Sequence, residues 1–120
     1  MSLITIIATG FLVQAPADTV DVAYPELSQG RNEAAIARIE RNDSLRTDDP
    51  ARLINLGIAH AREGREGEAR ALFRTAVRSE ESVRLETATG AWRDSRDLAR
   101  MALQMLDRGE FSPARQMASR

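Results

Sequence analysis

The middle of the chain shows a helical pattern of apolar and small residues. Four such positions are spaced i, i+3, i+4 and i+7, and therefore share one face of a helix: Leu53, Leu56, Gly57 and His60. Asp49 and Pro50 precede them, and both residue types favour a helix start, one through the helix dipole and the other through its fixed φ. Gly64 is a typical helix stop. The pattern predicts a helix from Pro50 to about Glu63.

A second helix is predicted from Glu66 to Arg78, with the opposite face charged. Its apolar face has the same spacing: Ala69, Leu72, Phe73 and Ala76. Gly57 and Ala69 are both small, so we expect the two helices to cross most closely there, with Phe73 filling the space beside the crossing. The stretch thus predicts an antiparallel helical hairpin.

Weaker helical patterns flank this hairpin on both sides. A short helix capped by Asp18 or Thr19 is predicted to run to about Ser28, and a better one covers Glu33 to Arg41 with Asn32 as its cap. After Asp94 or Ser95, a further cap, a helical face recurs at Leu98, Met101, Ala102 and Met105. We therefore predict an all-α fold of about six helices in antiparallel hairpins. These hairpins cover about 19–43, 50–79 and 94–120.

The segment 80–94 does not have a helical pattern. Val83 and Leu85 alternate with polar residues, and Gly90 and the nearby threonines oppose a helix. We predict an extended loop with a short strand-like piece. Trp92, the one tryptophan of the chain, lies here. It either anchors the loop to the core or contacts a ligand.

Residues 2–15 carry no charge and are followed by Ala15-Pro16-Ala17 and a polar Asp18. The run is short for a membrane span, which needs about 20 residues. It predicts a signal peptide over 1–17, removed on export to the periplasm or the medium, with no stable membrane insertion afterwards. No basic residue precedes the run, and two alternatives stay open. One is a first helix packed on a cytoplasmic domain, and the other is an uncleaved membrane tether.

Charge and composition exclude several classes of function. The 17 basic residues are all arginine and are interleaved with 18 acidic ones, so no basic stripe for nucleic acid is present. There is no cysteine for a thiolate site. His60 occupies a core position of its helix, and no partner residues for catalysis accompany it. We therefore predict no enzyme activity, no catalytic residues, no metal site and no cofactor.

The spacing of the central hairpin resembles the tetratricopeptide repeat (TPR), a helix–turn–helix unit of about 34 residues. The Leu56-Gly57 pair, Ala69, Phe73 and Ala76 match that family, whereas Leu53 and His60 stand where it usually has Trp and Tyr. One repeat upstream, Gly30, Arg31 and Ala35 repeat the turn and the second helix. A degenerate copy follows around Met101-Ala102, beyond the 80–94 insertion. The resemblance implies a short right-handed solenoid whose first helices line a concave groove.

That groove implies protein or peptide binding. Asn55, Arg96 and Arg100 fall on three positions at which some members of the family clamp a C-terminal carboxylate. With Trp92 added, the predicted peptide-binding residues are Ile54, Asn55, Ile58, Arg62, Trp92, Arg96 and Arg100. The expected function is a non-enzymatic scaffold or adaptor in the cell envelope. The alternative is a structural protein that associates with itself as a homo-oligomer and has no groove ligand.

Overall fold

The computed structural model describes residues 22–112 and the backbone of residues 13–14. These residues form five helices and three short strands. The helices are α1 (Tyr24–Ser28), α2 (Asn32–Glu40), α3 (Pro50–Arg62), α4 (Glu66–Arg78) and α5 (Ser95–Asp107). The strands are β1 (Val13–Gln14), β2 (Arg84–Thr87) and β3 (Trp92–Asp94).

The predicted central hairpin is present as α3 and α4. The Asp49 carboxylate accepts a hydrogen bond from the Arg52 backbone N–H at 3.0 Å, and Pro50 occupies the first turn of α3. The helix ends at Arg62, and Gly64 just beyond it has φ +80°, while the Arg65 N–H donates to the His60 carbonyl oxygen at 2.9 Å. Every residue of α3 except Arg52 is buried, which makes α3 the central helix of the molecule.

The crossing of α3 and α4 lies at Gly57. A Cβ atom built on Gly57 would come within 2.5 Å of Cε1 of Phe73. Phe73 is fully buried, and its ring centroid lies 6.2 Å from that of Phe111. The absence of a side chain at position 57 therefore makes room for the aromatic ring at the centre of the core.

Helices α1 and α2, which precede α3 in the chain, pack against it. Leu27, Ile36 and Ile39 are buried, and Arg38 joins the two helices by donating to both carboxylate oxygens of Glu26, at 2.7 and 2.9 Å. The predicted cap was wrong here, since Arg31 is the N-cap of α2 and Asn32 is its first helical residue.

The start of α1 also differs from the prediction. This helix begins at Tyr24, after Ala23 with φ +58°, and Pro25 lies in its first turn. Proline is tolerated there and not in a helix interior, so the helix begins just before Pro25 instead of extending through it from residue 18 or 19. The predicted caps at Asp18 and Thr19 lie outside the described residues.

The segment 80–94 departs from the predicted all-α fold, because it folds into an antiparallel β-hairpin. Leu85 lies opposite Arg93, and β1 pairs on the other side of β2, so the strand order is β1-β2-β3. The turn at 87–90 is closed by a hydrogen bond from the Gly90 N–H to the Thr87 carbonyl oxygen. Gly90 has φ +87°, and the Thr87 N–H donates to Ala91. This is the three-residue hairpin loop with a glycine bulge.

Helix α5 packs against α4 and α3 and closes the core on its carboxyl-terminal side. Its N-cap is Asp94, as predicted, with the carboxylate accepting from the N–H groups of Arg96 at 2.8 Å and Asp97 at 3.3 Å. The buried face of α5 includes Leu98, Ala102 and Leu106. Residues 113–120 lie outside the described part of the chain, so the second half of the predicted hairpin 94–120 is not described.

Candidate protein-binding surface

The residues predicted to line a groove are covered by the protein itself. Ile54, Asn55 and Ile58 each have no exposed surface. The Asn55 side-chain amide donates to the Val22 carbonyl oxygen at 3.1 Å, which ties the segment before α1 to α3. The expectation that these three residues face an open groove is therefore corrected. Ile54 and Ile58 belong to the hydrophobic core, and Asn55 is buried with them.

Arg62 is also turned inward. Its guanidinium donates from Nη1 to the Leu27 carbonyl oxygen at 2.8 Å and to the Asn32 side chain at 3.3 Å, and only 8% of the residue is exposed. Burial lowers the pKa of Arg62 to about 10, and its Nη2 is buried without a hydrogen-bond partner among the described residues. Arg62 therefore holds the turn after α1 against α3 and is not presented to a ligand.

The two arginines of α5 serve separate local purposes. Arg96 donates from Nε to the Ser79 carbonyl oxygen at 2.9 Å and from Nη2 to the Glu80 carbonyl oxygen at 2.7 Å. It therefore binds carbonyls just beyond the carboxyl end of α4. Arg100 is exposed and forms an ion pair with Asp97 at 2.8 Å. Neither arginine joins Asn55 in a carboxylate clamp, because Asn55 has no accessible surface.

Trp92 is the exception among the predicted residues. Its side chain lies on the outer face of the hairpin, directly across from Glu86, and is 52% exposed. It is the one large hydrophobic side chain that is exposed among the described residues. The anchoring interpretation of Trp92 was wrong, because Leu85 on the inner face of β2 is the residue that joins the core.

The backbone of β3 forms one edge of the sheet. The Thr87 N–H donates to the Ala91 carbonyl oxygen, and the Ser95 N–H donates to the Val83 carbonyl oxygen, both at 2.8 Å. The pairs 87–91 and 83–95 are therefore hydrogen-bonded pairs. Bonded and non-bonded pairs alternate in antiparallel sheets, so the pairs 86–92 and 84–94 are non-bonded. The main-chain N–H and C=O groups of Trp92 therefore point away from β2.

The exposed charges next to Trp92 are two arginines. Arg84 is exposed and donates from Nη2 to the Trp92 carbonyl oxygen at 3.3 Å, so its side chain reaches the edge strand. Arg93 is exposed on β3 itself. No carboxylate pairs with either arginine within the described ranges. Guanidinium groups beside an indole are a composition enriched in protein interfaces.

The acidic residues of the hairpin are held closer to the body of the protein. Asp94 accepts hydrogen bonds from the Ser82 hydroxyl and from two backbone N–H groups of α5. The Ser82 hydroxyl, followed by these N–H groups and the Arg96 charge, lowers the pKa of the Asp94 carboxyl. Glu86 is half-buried and lies on β2, one strand away from the edge. The edge itself is therefore basic and aromatic.

Within the described residues, the remaining polar side chains do not form a cluster that resembles a catalytic or metal-binding site. A surface depression of about 560 Å³ is lined by Arg46, Arg78, Glu80 and Glu81, among others, and Arg46 is already paired with Glu81 at 3.0 Å. His60 is 7% exposed, and its Nδ1 accepts from Nε of Arg65 at 2.9 Å, in keeping with its predicted core position. No group of three potential metal ligands occurs within residues 22–112.

Comparison with known proteins does not assign this chain to a family. No protein-family model, curated protein or solved structure matches it significantly. Among the helices of the described region, none has the length and apolar character required to cross a membrane.

Sequence reasoning selected Trp92 but missed the residues that surround it. Arg84 and Arg93 were left out because the segment was expected to be a loop, in which side chains have no fixed partners. The alternation of Val83 and Leu85 with polar residues, followed by a glycine and a second short polar–aromatic run, is the signal of a hairpin. That signal would have placed Arg84 and Trp92 on the same face.

Proposed function

We propose that the protein is a non-enzymatic protein-binding module, and that the hairpin surface around Trp92 is where a partner binds. One observation carries the proposal, namely the half-exposed Trp92 on the edge strand of a sheet in which Leu85 of the neighbouring strand is buried. An exposed indole at such a position can bury its apolar surface against a partner at a low entropic cost, because its side chain has few rotatable bonds.

The helices support this function by holding the hairpin rigidly. The Ser95 N–H donates to the Val83 carbonyl oxygen at 2.8 Å, and the Val83 N–H donates back to the Ser95 hydroxyl at 3.1 Å. Arg96 adds two further bonds to the segment before β2. Both ends of the hairpin are thus tied to α5, which pre-organises the surface and reduces the entropy lost on binding.

The proposed setting is the cell envelope, with the protein acting there as an adaptor or scaffold. The support is the uncharged run followed by Ala15-Pro16-Ala17 at the start of the chain. The proposed architecture is a short TPR-like array. Its support is the α3–α4 hairpin, with its Gly57–Phe73 crossing and the matching sequence positions.

A site-specific cross-linking experiment tests the binding function. A photo-reactive amino acid replaces Ala91, which is exposed beside Trp92, and in a matched variant it replaces Arg41, which is exposed at the end of α2. After irradiation in cells of the source organism, we expect a discrete adduct with another protein from position 91 and none from position 41. The absence of any adduct at position 91 would contradict the proposal.

A second candidate function is self-association through the same edge. A strand edge that is left open among the described residues can pair with the edge of another copy. In that case the position 91 adduct would have twice the mass of the chain. The sedimentation coefficient of the purified protein would also rise with concentration, whereas a module for a different partner stays monomeric until that partner is added.

A further inference from the structure

The edge of β3 specifies what kind of chain can pair with it. The N–H and C=O groups of Trp92 point outward, as derived above from the alternation of bonded pairs. An extended segment laid along this edge would continue the sheet as a fourth strand. Because side chains alternate between the two faces of a sheet, every second residue of the segment would lie beside Trp92.

The other residues of such a segment would lie on the opposite face, where β3 presents Arg93. Leu85 and Arg93 are cross-strand partners and share the inner face, but Arg93 is at the edge and is exposed. On the outer face, Arg84 reaches across to the Trp92 carbonyl oxygen. The incoming strand would therefore meet an indole flanked by a guanidinium on one face, and a second guanidinium on the other.

We propose that this edge binds an extended acidic peptide segment in which apolar and acidic residues alternate, with the apolar side chains on Trp92 and an acidic one on Arg93. This rests on the proposed protein-binding function and adds to it the conformation and charge of the partner segment. Backbone pairing supplies the orientation, and alternate side chains supply the selectivity, as in other cases of strand addition.

The positions of the charges favour an acidic partner over a basic one. Asp94 is engaged with Ser82 and the amino end of α5, so its charge is already satisfied. Glu86 faces the same side as Trp92 but lies one strand further from the edge. An acidic residue placed at the edge therefore meets Arg93 first, whereas a lysine there would face an unpaired like charge.

The short length of β3 also limits the expected affinity for the peptide. Three residues can form only a few main-chain hydrogen bonds, and each contributes little net affinity because it replaces a hydrogen bond to water. Most of the binding must then come from covering Trp92 and pairing the arginines. The contact belongs to the small, transient class of interfaces, and single changes of charge should have a large relative effect on it.

The single tryptophan makes the test direct, since all indole fluorescence comes from Trp92. The full chain is titrated with a synthetic, tryptophan-free decapeptide of alternating Glu and Val with blocked ends. We expect saturable binding with a shift of the emission to shorter wavelength, because the indole is transferred from water to a less polar surface. Three control peptides replace Glu by Lys, cluster the same residues without alternation, or carry N-methyl groups on alternate amides.

Variants of the protein complete the test. Arg93→Glu should weaken binding of the Glu peptide by about tenfold or more, and should gain binding of the Lys peptide. Arg41→Glu is the matched control, because Arg41 is an exposed arginine directly after α2 and far from the hairpin in sequence. It should leave both titrations unchanged. Both substituted residues are exposed, and circular dichroism establishes that each variant retains its helices.

A lack of binding of the Glu peptide would overturn the proposal, and so would any of three further results. One is equal binding of the alternating and the clustered Glu peptides, and another is undiminished binding of the N-methylated peptide, since either shows that no strand is added. The third is the same fluorescence change with single-stranded polynucleotide or anionic vesicles, which would indicate general attraction of polyanions. A protein adduct at position 91 without binding of the Glu peptide leaves the binding function standing and refutes only the acidic strand.

Discussion

Gly57 and Phe73 show how much one residue decides at the centre of this protein. Phe73 is fully buried and in contact with the ring of Phe111, so it cannot turn away from α3. The Cβ that any other residue would add at position 57 would lie 2.5 Å from the Phe73 ring. Glycine normally weakens a helix by about 1 kcal/mol relative to alanine, but here its missing side chain makes room for the Phe73 ring.

Gly57→Ala is therefore expected to destabilise the protein despite the better helix propensity of alanine. Overpacking of a core costs about 1–3 kcal/mol, which exceeds the gain in propensity. Urea unfolding measures the change. Gly67→Ala is the matched control, because position 67 in α4 has open space around it, and we expect it to stabilise by about 0.5–1 kcal/mol. A Gly57→Ala variant as stable as Gly67→Ala would show that the crossing is not tight.

At the scale of elements, Asp94 joins the β-hairpin to α5. It is the last residue of β3 and also the N-cap of the helix, and its carboxylate binds two N–H groups and the Ser82 hydroxyl. The boundary between β3 and α5 thus depends on the Asp94 carboxylate, whose pKa is lowered. A loss of this cap would loosen the helix start and the hairpin together, and with them the surface that carries Trp92.

Asp94→Ala should lower the free energy of unfolding by about 0.5–2 kcal/mol at neutral pH, whereas Asp94→Asn, which keeps a side-chain oxygen, should lose much less. The pKa is lower in the folded than in the unfolded chain. The ionised carboxylate therefore contributes fully above the ordinary value of 3.8, and its contribution is lost as the pH falls through the folded value.

The stability difference between the native protein and Asp94→Asn should accordingly shrink in acid, as measured by urea unfolding at a series of pH values. Asp43→Asn, in the exposed loop after α2, controls for the loss of one carboxylate. A difference that does not change with pH would exclude the Asp94 carboxylate as the stabilising form of the cap.

For the whole molecule, the described core begins at Val22 and is formed by the helices and Leu85 of β2. The predicted signal peptide 1–17 includes β1, which pairs with β2 through Val13 and Gln14. Cleavage after Ala17 would remove this strand and leave the core residues in place. β1 also contacts α3, so cleavage would remove those contacts as well.

Intact mass and cell fractionation in a Gram-negative host test this processing. We expect a periplasmic protein that starts at Asp18, because the uncharged run and Ala15-Pro16-Ala17 match the apolar region and the cleavage site of a signal peptide, although the basic residues that usually precede them are absent. The same protein with residues 1–17 deleted should remain helical by circular dichroism, since its core is retained. A cytoplasmic protein with the mass of the full chain would contradict the prediction of export.

The helices could be predicted from local features. Periodicity located α3, α4 and α5, and the helix starts at Asp49-Pro50 and at Asp94 or Ser95 were readable because such start signals depend on residues only a few positions apart. The small–large arrangement of Gly57 and Phe73 was also readable. The β-hairpin was underestimated, since each strand is short and its stability depends on cross-strand pairs and on the packing of Leu85.

What the sequence determined by itself, then, is helices α2, α3, α4 and α5, their order and the pairing of α3 with α4, whereas of the six helices predicted five lie in the described residues. The tertiary structure alone decided which faces are accessible. Asn55 and Arg62 are polar and were expected at a surface, but α1 and its flanking segment cover them and provide their hydrogen-bond partners. Trp92 is apolar, yet it stays exposed because the hairpin turns its outer face to solvent. Exposure depends on neighbours distant in the chain, and local periodicity contains no information about them.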